Sequence, residues 1–206
     1  MDITKAREEV ATYMRRTYQR GLTTSTGGNI SSRFESYMLI TCSGKDKSSL
    51  SFEDIAIVDI ETGDNLTPGL KLSIESDMHR LIYKLRQDVN AVVHSHPTFS
   101  CLFSSSEKEI DSTLIAESWY LLDKVERVPY QRMGTKELAL EVSSFMKDRN
   151  VALLTNHGAI ALGKNLLSAF DRMECLEQAA KMTLFSSFVD AKGLDGEKCD
   201  EIAAMR

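Results

Sequence analysis

The tetrapeptide His94-Ser95-His96-Pro97 closes the apolar run 89–96. Side chains alternate along an extended strand, so residues two apart face the same way and both imidazoles are offered to one ligand. A third histidine, His157, stands in Thr155-Asn156-His157-Gly158, directly after a second apolar run, Val151-Ala152-Leu153-Leu154. Three of the chain's four histidines thus sit at strand ends beside turn-forming residues, where functional side chains concentrate. Three imidazoles suit Zn²⁺, and also Fe²⁺, Co²⁺ or Mn²⁺, and a three-ligand set leaves positions open for a substrate. The His94/His96 pair alone is equally compatible with one core and one surface histidine. The third histidine in a matching context, with a carboxylate on the helix that feeds the same strand, favours the metal.

That carboxylate is Glu75, in Lys71-Leu72-Ser73-Ile74-Glu75-Ser76. At helical spacing it shares an edge with His79, four residues on. A glutamate beside a metal-bound carbonyl can remove or return a proton on the adjacent carbon; its plainer role is to favour the positive end of a helix dipole. His79 is open to reading as a fourth ligand or a support for the ligands, but a hydrogen-bonded structural histidine is the commoner case, and it is not counted among the ligands. Three small polar segments complete the inventory: Thr26-Gly27-Gly28-Asn29-Ile30-Ser31, Thr41-Cys42-Ser43-Gly44, and Ser73 at a helix start. Each can offer backbone N–H groups and hydroxyls to a phosphate, and each alone is an ordinary turn. Only their convergence makes a pocket.

Elements must position these groups. Ile3, Ala6, Val10, Met14 and Tyr18 form one stripe that predicts a helix over 3–20, stopped by Gly21. The stretch 24–32 reads as turn-rich, followed by strands at 37–41 and 55–60 and the turn Glu61-Thr62-Gly63-Asp64. Ser73 is predicted to cap a helix with Ile74, Met78, Leu81, Ile82 and Leu85 inward, leading into the strand 89–96. Thr135 is predicted to cap another, with Leu138, Val142 and Phe145 inward, leading into the strand 151–155. The longest helix is predicted over 166–189, burying Leu166, Phe170, Met173, Leu176, Ala180, Leu184 and Phe188. No Pro-, Gly- or Ser-rich linker interrupts this order, so the reading is a single domain over 1–206, of α/β or α+β class, built on a helix-covered sheet.

Composition bounds the function. At 206 residues, 42% hydrophobic and 27% charged, the chain has an ordinary globular make-up. Its net charge of −5 is carried with Lys and Arg scattered, which argues against nucleic acid or an anionic membrane as partner. A charged N-terminal segment and the lack of any run of 18 apolar residues argue against a signal peptide or spanning helix, and predict a cytoplasmic protein. Cys42, Cys101, Cys175 and Cys199 form no C-x-x-C pair and are expected to be reduced structural thiols.

Six motifs stand in order along nearly the whole chain: Gly28-Asn29-Ile30-Ser31, Met38-Leu39-Ile40-Thr41-Cys42-Ser43-Gly44, Ser73-Ile74-Glu75 with His79, Val93-His94-Ser95-His96-Pro97, Val128-Pro129-Tyr130 with Gly134-Thr135, and Asn156-His157-Gly158-Ala159. Together they resemble the class II aldolase and adducin N-terminal family. The resemblance implies a three-layer αβα sandwich with a central, mostly antiparallel mixed sheet, and a homotetramer with active sites near subunit interfaces. It implies Zn²⁺ on His94, His96 and His157, Glu75 as catalytic acid/base, and Asn29, Ser43, Gly44 and Ser73 as contacts to the phosphate of a small sugar phosphate. The implied reaction is lyase cleavage of a ketose 1-phosphate to dihydroxyacetone phosphate and an aldehyde through a metal-stabilised enediolate.

The chain departs from the family's aldolases in carrying Ile74 where they have a second serine. Ile115 stands about in register with their tyrosine proton donor, with Tyr120 nearby, and their tyrosine-bearing tail has no evident match. Alternatives on the same scaffold are a sugar-phosphate dehydratase, decarboxylase or 4-epimerase, or a non-catalytic adducin-like interaction domain. Epimerases of the family carry Asp where Glu75 stands, and the non-catalytic branch lacks the metal histidines.

Overall fold

The computed structural model describes residues 2–206. Helix α1 (Ile3–Gln19) is followed by strands β1 (Asn29–Phe34), β2 (Tyr37–Thr41) and β3 (Ile55–Asp59), helix α2 (Ser76–Leu85) and strand β4 (Ala91–Ser95). Then come α3 (Thr98–Ser104), α4 (Ala116–Leu122), β5 (Arg127–Val128), α5 (Lys136–Phe145), β6 (Val151–Leu154), β7 (Gly158–Gly163), α6 (Leu166–Ser186) and α7 (Gly196–Ala203). The strands form one sheet in the order β3-β2-β1-β4-β7-β6-β5, with every neighbouring pair antiparallel except β5 and β6. This is the mixed, mostly antiparallel sheet between helices that the resemblance implied.

Helices cover both faces, because strands with apolar residues on each side must bury both. Ala6, Val10 and Met14 of α1 and Phe170, Met173 and Leu176 of α6 pack on one face against Ile30, Leu39 and Val93. Met78 and Ile82 of α2 and Leu138 and Val142 of α5 pack on the other against Met38, Ile40, Val92 and Ile160. Thr135 caps α5 as expected, its hydroxyl accepting from Leu138 N. Gly21 ends the α1 segment at φ +69, a left-handed conformation that costs glycine little. No helix among the described residues is long and apolar enough to cross a membrane, and all four cysteines are free.

Four local expectations change. The stretch 24–32 is not all turn: β1 starts at Asn29, and its inward Asn29 and Ser31 are polar, which hid the alternation expected of a strand. Ser73 does not cap α2, which begins at Ser76; its hydroxyl accepts instead from Glu75 N and Asn29 Nδ2. Ile74 (57% exposed) and Leu85 face outward, while Met78, His79, Ile82 and Tyr83 form the buried face of α2. Helix α6 stops at Ser186, and both Leu184, in its last turn, and Phe188, beyond it, are exposed rather than buried. Strand β7, helices α3, α4 and α7 and the short β5 are elements that periodicity had not picked out.

Candidate metal centre

Strand β4 lies between β1 and β7, with His94 opposite Asn29 on one side and Ile160 on the other. His94 shares a face with Val92, so its ring enters the space under α2 and α5. His96 stands just past the strand end, its N–H donating to Leu22 O at 3.1 Å. His157 sits in the turn from β6 to β7, which Asn156 rounds at φ +54, a conformation asparagine tolerates better than most residues. Gly158 makes the approach of that turn to β4 feasible: a Cβ there would lie 2.6 Å from both Ser95 O and His96 Cδ2.

The three rings converge. His94 Nε2 and His96 Nε2 are 3.2 Å apart, and one ring nitrogen from each of His94, His96 and His157 lies within 4.8 Å of the others. Two nitrogens on a tetrahedral zinc with bonds of about 2.05 Å stand about 3.3 Å apart, so the donor set fits a divalent ion with little rearrangement. His94 Nδ1 donates to Ala159 O at 3.0 Å, which fixes its tautomer and leaves the Nε2 lone pair for a ligand.

Glu75 stands one residue before α2, outside the helical repeat expected to pair it with His79, makes no capping bond, and faces the histidines. It is 7% exposed, with Oε2 3.3 Å from His94 Nε2 and Oε1 3.2 Å from His157 Nε2. Asn29 Nδ2 donates to Oε2 at 2.9 Å and contacts Ser73 Oγ at 3.1 Å. Burial pushes the Glu75 carboxyl up, but His94, His157 and the bond from Asn29 together outweigh it and hold the group well below the usual carboxylate range. Burial opposes protonation of His94 too, yet Glu75 and Ala159 O raise it on balance. His96 is pushed down to about 3 and His157 to about 4, by burial first and then by the charge of His94. At neutral pH these two rings are neutral, the state a metal ligand needs.

Beneath the centre, His79 Nδ1 and Ser31 Oγ are 2.7 Å apart, and Ser31 Oγ lies 2.8 Å from the Tyr83 hydroxyl. His79 is fully buried and pushed down to about 3, chiefly by that burial. It ties α2, which follows Glu75, to β1 and is not one of the three converging histidines.

The small polar segments also meet. Ser43 N donates to Lys71 O at 2.9 Å, tying the 42–44 turn to the segment that leads to Ser73, and Lys47 N donates to Ser25 O at 2.8 Å, tying the same loop to the turn before Asn29. Gly44 turns at φ +71 with open space on its Cβ side. Ile74 does not join this group: a Cβ at Gly134 would lie 2.9 Å from Ile74 Cδ1, so its side chain packs toward the start of α5. Tyr120 does not join it either. It borders a cavity with Asn150 and Val151, at the far end of β6 from His157.

Two supporting residues escaped the sequence reading. The Glu177 carboxylate, on α6, accepts from Phe99 N (2.9 Å), Ser100 N (2.8 Å) and Ser100 Oγ (2.8 Å) at the start of α3. Helix α3 follows His96-Pro97 directly and also holds the other turn, through Asn156 N to Ser104 O at 3.1 Å and Cys101 Sγ to His157 O. On a helix that also carries Asp171, Arg172, Glu174 and Lys181, Glu177 gave no signal of its own. The other is Lys47, buried in the loop after β2, for which a lysine in a polar loop carried no signal at all.

The sequence profile of the family described as Class II Aldolase and Adducin N-terminal domain matches residues 8–184. The chain is 35% identical over 175 residues to an L-fuculose phosphate aldolase of Methanocaldococcus jannaschii, covering 85% of this chain and 93% of that one. It is 33% identical over 170 residues to a 3-oxo-tetronate 4-phosphate decarboxylase of Haemophilus influenzae, covering 80% of each. A solved structure of an L-fuculose 1-phosphate aldolase superposes with a TM-score of 0.89 at 30% identity, covering 98% of this chain and 96% of the other.

Proposed function

We propose, from the premise that this chain belongs to the class II aldolase and adducin N-terminal domain family, that it is a metal-dependent aldehyde-lyase that cleaves a ketose 1-phosphate to dihydroxyacetone phosphate and an aldehyde. The observation that carries this reading is the meeting of three imidazoles and the Glu75 carboxylate beside three converging polar loops. His94, His96 and His157 would hold the ion, Zn²⁺ being the first expectation from the all-nitrogen donor set. Such an ion supplies Lewis acidity toward a substrate carbonyl.

The chain's own residues do the rest. Glu75 is ionised at neutral pH and so is ready to take a proton from, or return one to, the carbon beside that carbonyl. Asn29 orients the carboxylate through Oε2. Asn29, Ser43, Gly44 and Ser73 bind the phosphate, through side chains and the backbone of the 42–44 turn. Burial of Glu75 and His94 excludes water from the reacting face. The working assembly in this reading is a cytoplasmic homotetramer.

The test is product analysis with metal-loaded protein and a panel of ketose 1-phosphates, run beside Glu75→Gln. Retro-aldol turnover is expected to fall by at least about 100-fold in that variant, the scale of lost acid/base assistance, with the metal retained. Unchanged turnover would remove Glu75 from the mechanism, and no aldehyde from any ketose 1-phosphate would remove the aldolase reading. A second reading, decarboxylation of a keto sugar-acid phosphate, is favoured by the likeness to the Haemophilus influenzae decarboxylase. Release of carbon dioxide without an aldehyde product would decide for it.

A further inference from the structure

Lys47 is 1% exposed, and no other lysine or arginine among the described residues is buried to this degree. Its ammonium Nζ donates to Cys42 O at 3.0 Å, and no carboxylate pairs with it among the described residues. The nearby Asp54 is engaged by Lys45 at 2.9 Å. A buried cation without a counter-ion is costly, because desolvation is not repaid by an opposite charge. Burial accordingly pushes the Lys47 ammonium below its ordinary range, against weaker opposing pulls from Cys42 and Asp54.

The surroundings say what anion would repay that cost. Cys42, whose carbonyl Lys47 holds, directly precedes Ser43 and Gly44, and Ser25, whose carbonyl accepts from Lys47 N, leads into the Gly27-Gly28-Asn29 turn. The Cys42–Ser43 peptide is thereby held at both ends, its carbonyl by Lys47 and its N–H by Lys71 O. Every group assigned above to the phosphate is electrically neutral, and Ile74 contributes no hydroxyl. A buried positive charge behind the loop adds to what these neutral donors offer a dianion, since the low local dielectric lengthens its reach.

We propose that Lys47 is a specificity-determining positioning residue, whose buried ammonium braces the 42–44 turn from behind and makes the pocket select phosphorylated over unphosphorylated substrates. The proposal rests on the sugar-phosphate reading of the same site.

Affinities of zinc-loaded protein for dihydroxyacetone phosphate, inorganic phosphate and unphosphorylated dihydroxyacetone test it, in wild type, Lys47→Met, Lys47→Gln and Lys47→Arg. Removing the charge is expected to weaken both phosphate-bearing probes by about tenfold or more, and dihydroxyacetone by less than about twofold. Lys47→Arg should keep most of the phosphate affinity, and zinc content should not change. Lys47→Met should melt no lower than wild type, because it removes an unpaired buried charge. Equal phosphate affinity in wild type and Lys47→Met would overturn the proposal, as would a parallel loss for dihydroxyacetone. So would failure of both charge-removing variants to fold, which would make the lysine structural. A wild-type protein that holds zinc but ignores dihydroxyacetone phosphate would instead strike at the sugar-phosphate reading itself.

Discussion

Strand β4 sends Ala91 and Val93 to the face covered by α1 and α6, and Val92 and His94 to the face covered by α2 and α5. On the first face the packing is almost wholly apolar, with Val10, Met14, Phe170 and Met173 against Ile30, Leu39 and Val93. Thr17, buried there, is satisfied within its own helix by Tyr13 O, and Ser95, last on the same side of β4 as Ala91 and Val93, is buried at the strand end. The second face begins the same way at Val92 and Ile160 but ends in Glu75, His79 and His94, with Ser31 and Tyr83 bonded beneath them. Of the six buried polar side-chain atoms without a hydrogen bond among the described residues, four, Asn29 Oδ1, Glu75 Oε1, His79 Nε2 and His157 Nδ1, lie at that end, while Ser95 Oγ lies on the other side of β4. Groups of this kind cost stability, so they persist only where the rest of the fold offsets them. The comparison teaches a division of labour: both faces bury apolar cores, and only the second also carries the candidate site at its end.

The strongest way to break this division is to remove the metal. Chelation is expected to abolish turnover, by at least about 1,000-fold on the scale of lost Lewis-acid assistance, while far-ultraviolet circular dichroism stays near that of the loaded protein. Collapse of the secondary structure on chelation would mean that the reactive end also holds the fold. Next in size, Met14→Ala on the apolar face should lower unfolding free energy by about 2–5 kcal/mol, the range for truncating a fully buried long side chain. Its zinc affinity, measured by competition with a coloured chelator, should stay within about twofold of wild type. A matching fall in affinity would show the two faces to be coupled.

Glu177 sharpens the comparison because it crosses it, reaching from α6 to the helix that braces both histidine turns. Glu177→Gln cannot accept all three hydrogen bonds and should weaken zinc affinity by about 10–100-fold, as losses of support behind metal ligands do. Met14→Ala provides the control for destabilisation alone, and equal affinity losses in the two variants would reduce Glu177 to a structural cap. The smallest effect is the pH dependence of the metal-free protein. His79 is held near 3 in the folded state, whereas an unfolded chain protonates its histidines near 6.5. Between those values the unfolded state binds a proton that the folded state does not, so stability is complete above about pH 6.5 and falls as the pH drops toward 3. His96 and His157 act in the same direction, and raised His94 opposes them. Urea unfolding at pH 7, 6 and 5 should show the decline, to which His79 contributes at most about 1.4 kcal/mol per pH unit. Stability that rose on acidification would contradict the neutral, buried state of these rings.

Much of both faces was legible in the chain. The stripe Ala6, Val10, Met14 placed α1, the cap at Thr135 placed α5, and the apolar run 89–96 placed β4, whose period of two turned His94 and His96 the same way. Strand β1 was missed because its inward residues are polar and hydrogen-bonded, so it lacks apolar alternation. Ile74 looked like core by helical count, yet it precedes the helix and projects outward. Glu177 and Lys47 were invisible as site components, because what matters about them is a partner 77 residues away in the one case and burial in the other.

By itself, then, the sequence determined which residues face together along one element, since that follows from the repeat of a strand or a helix within a few residues. That repeat paired His94 with His96, while His157 and Glu75 were picked out by their context and by the motifs of the family. Only the tertiary structure decided that they meet: the antiparallel register of β4 with β7, Ser95 against Ala159, carries His157 to a pair of histidines some sixty positions earlier. Register of that kind is set by the packing of the whole sheet between its helices, a sum of many contacts that no single segment encodes.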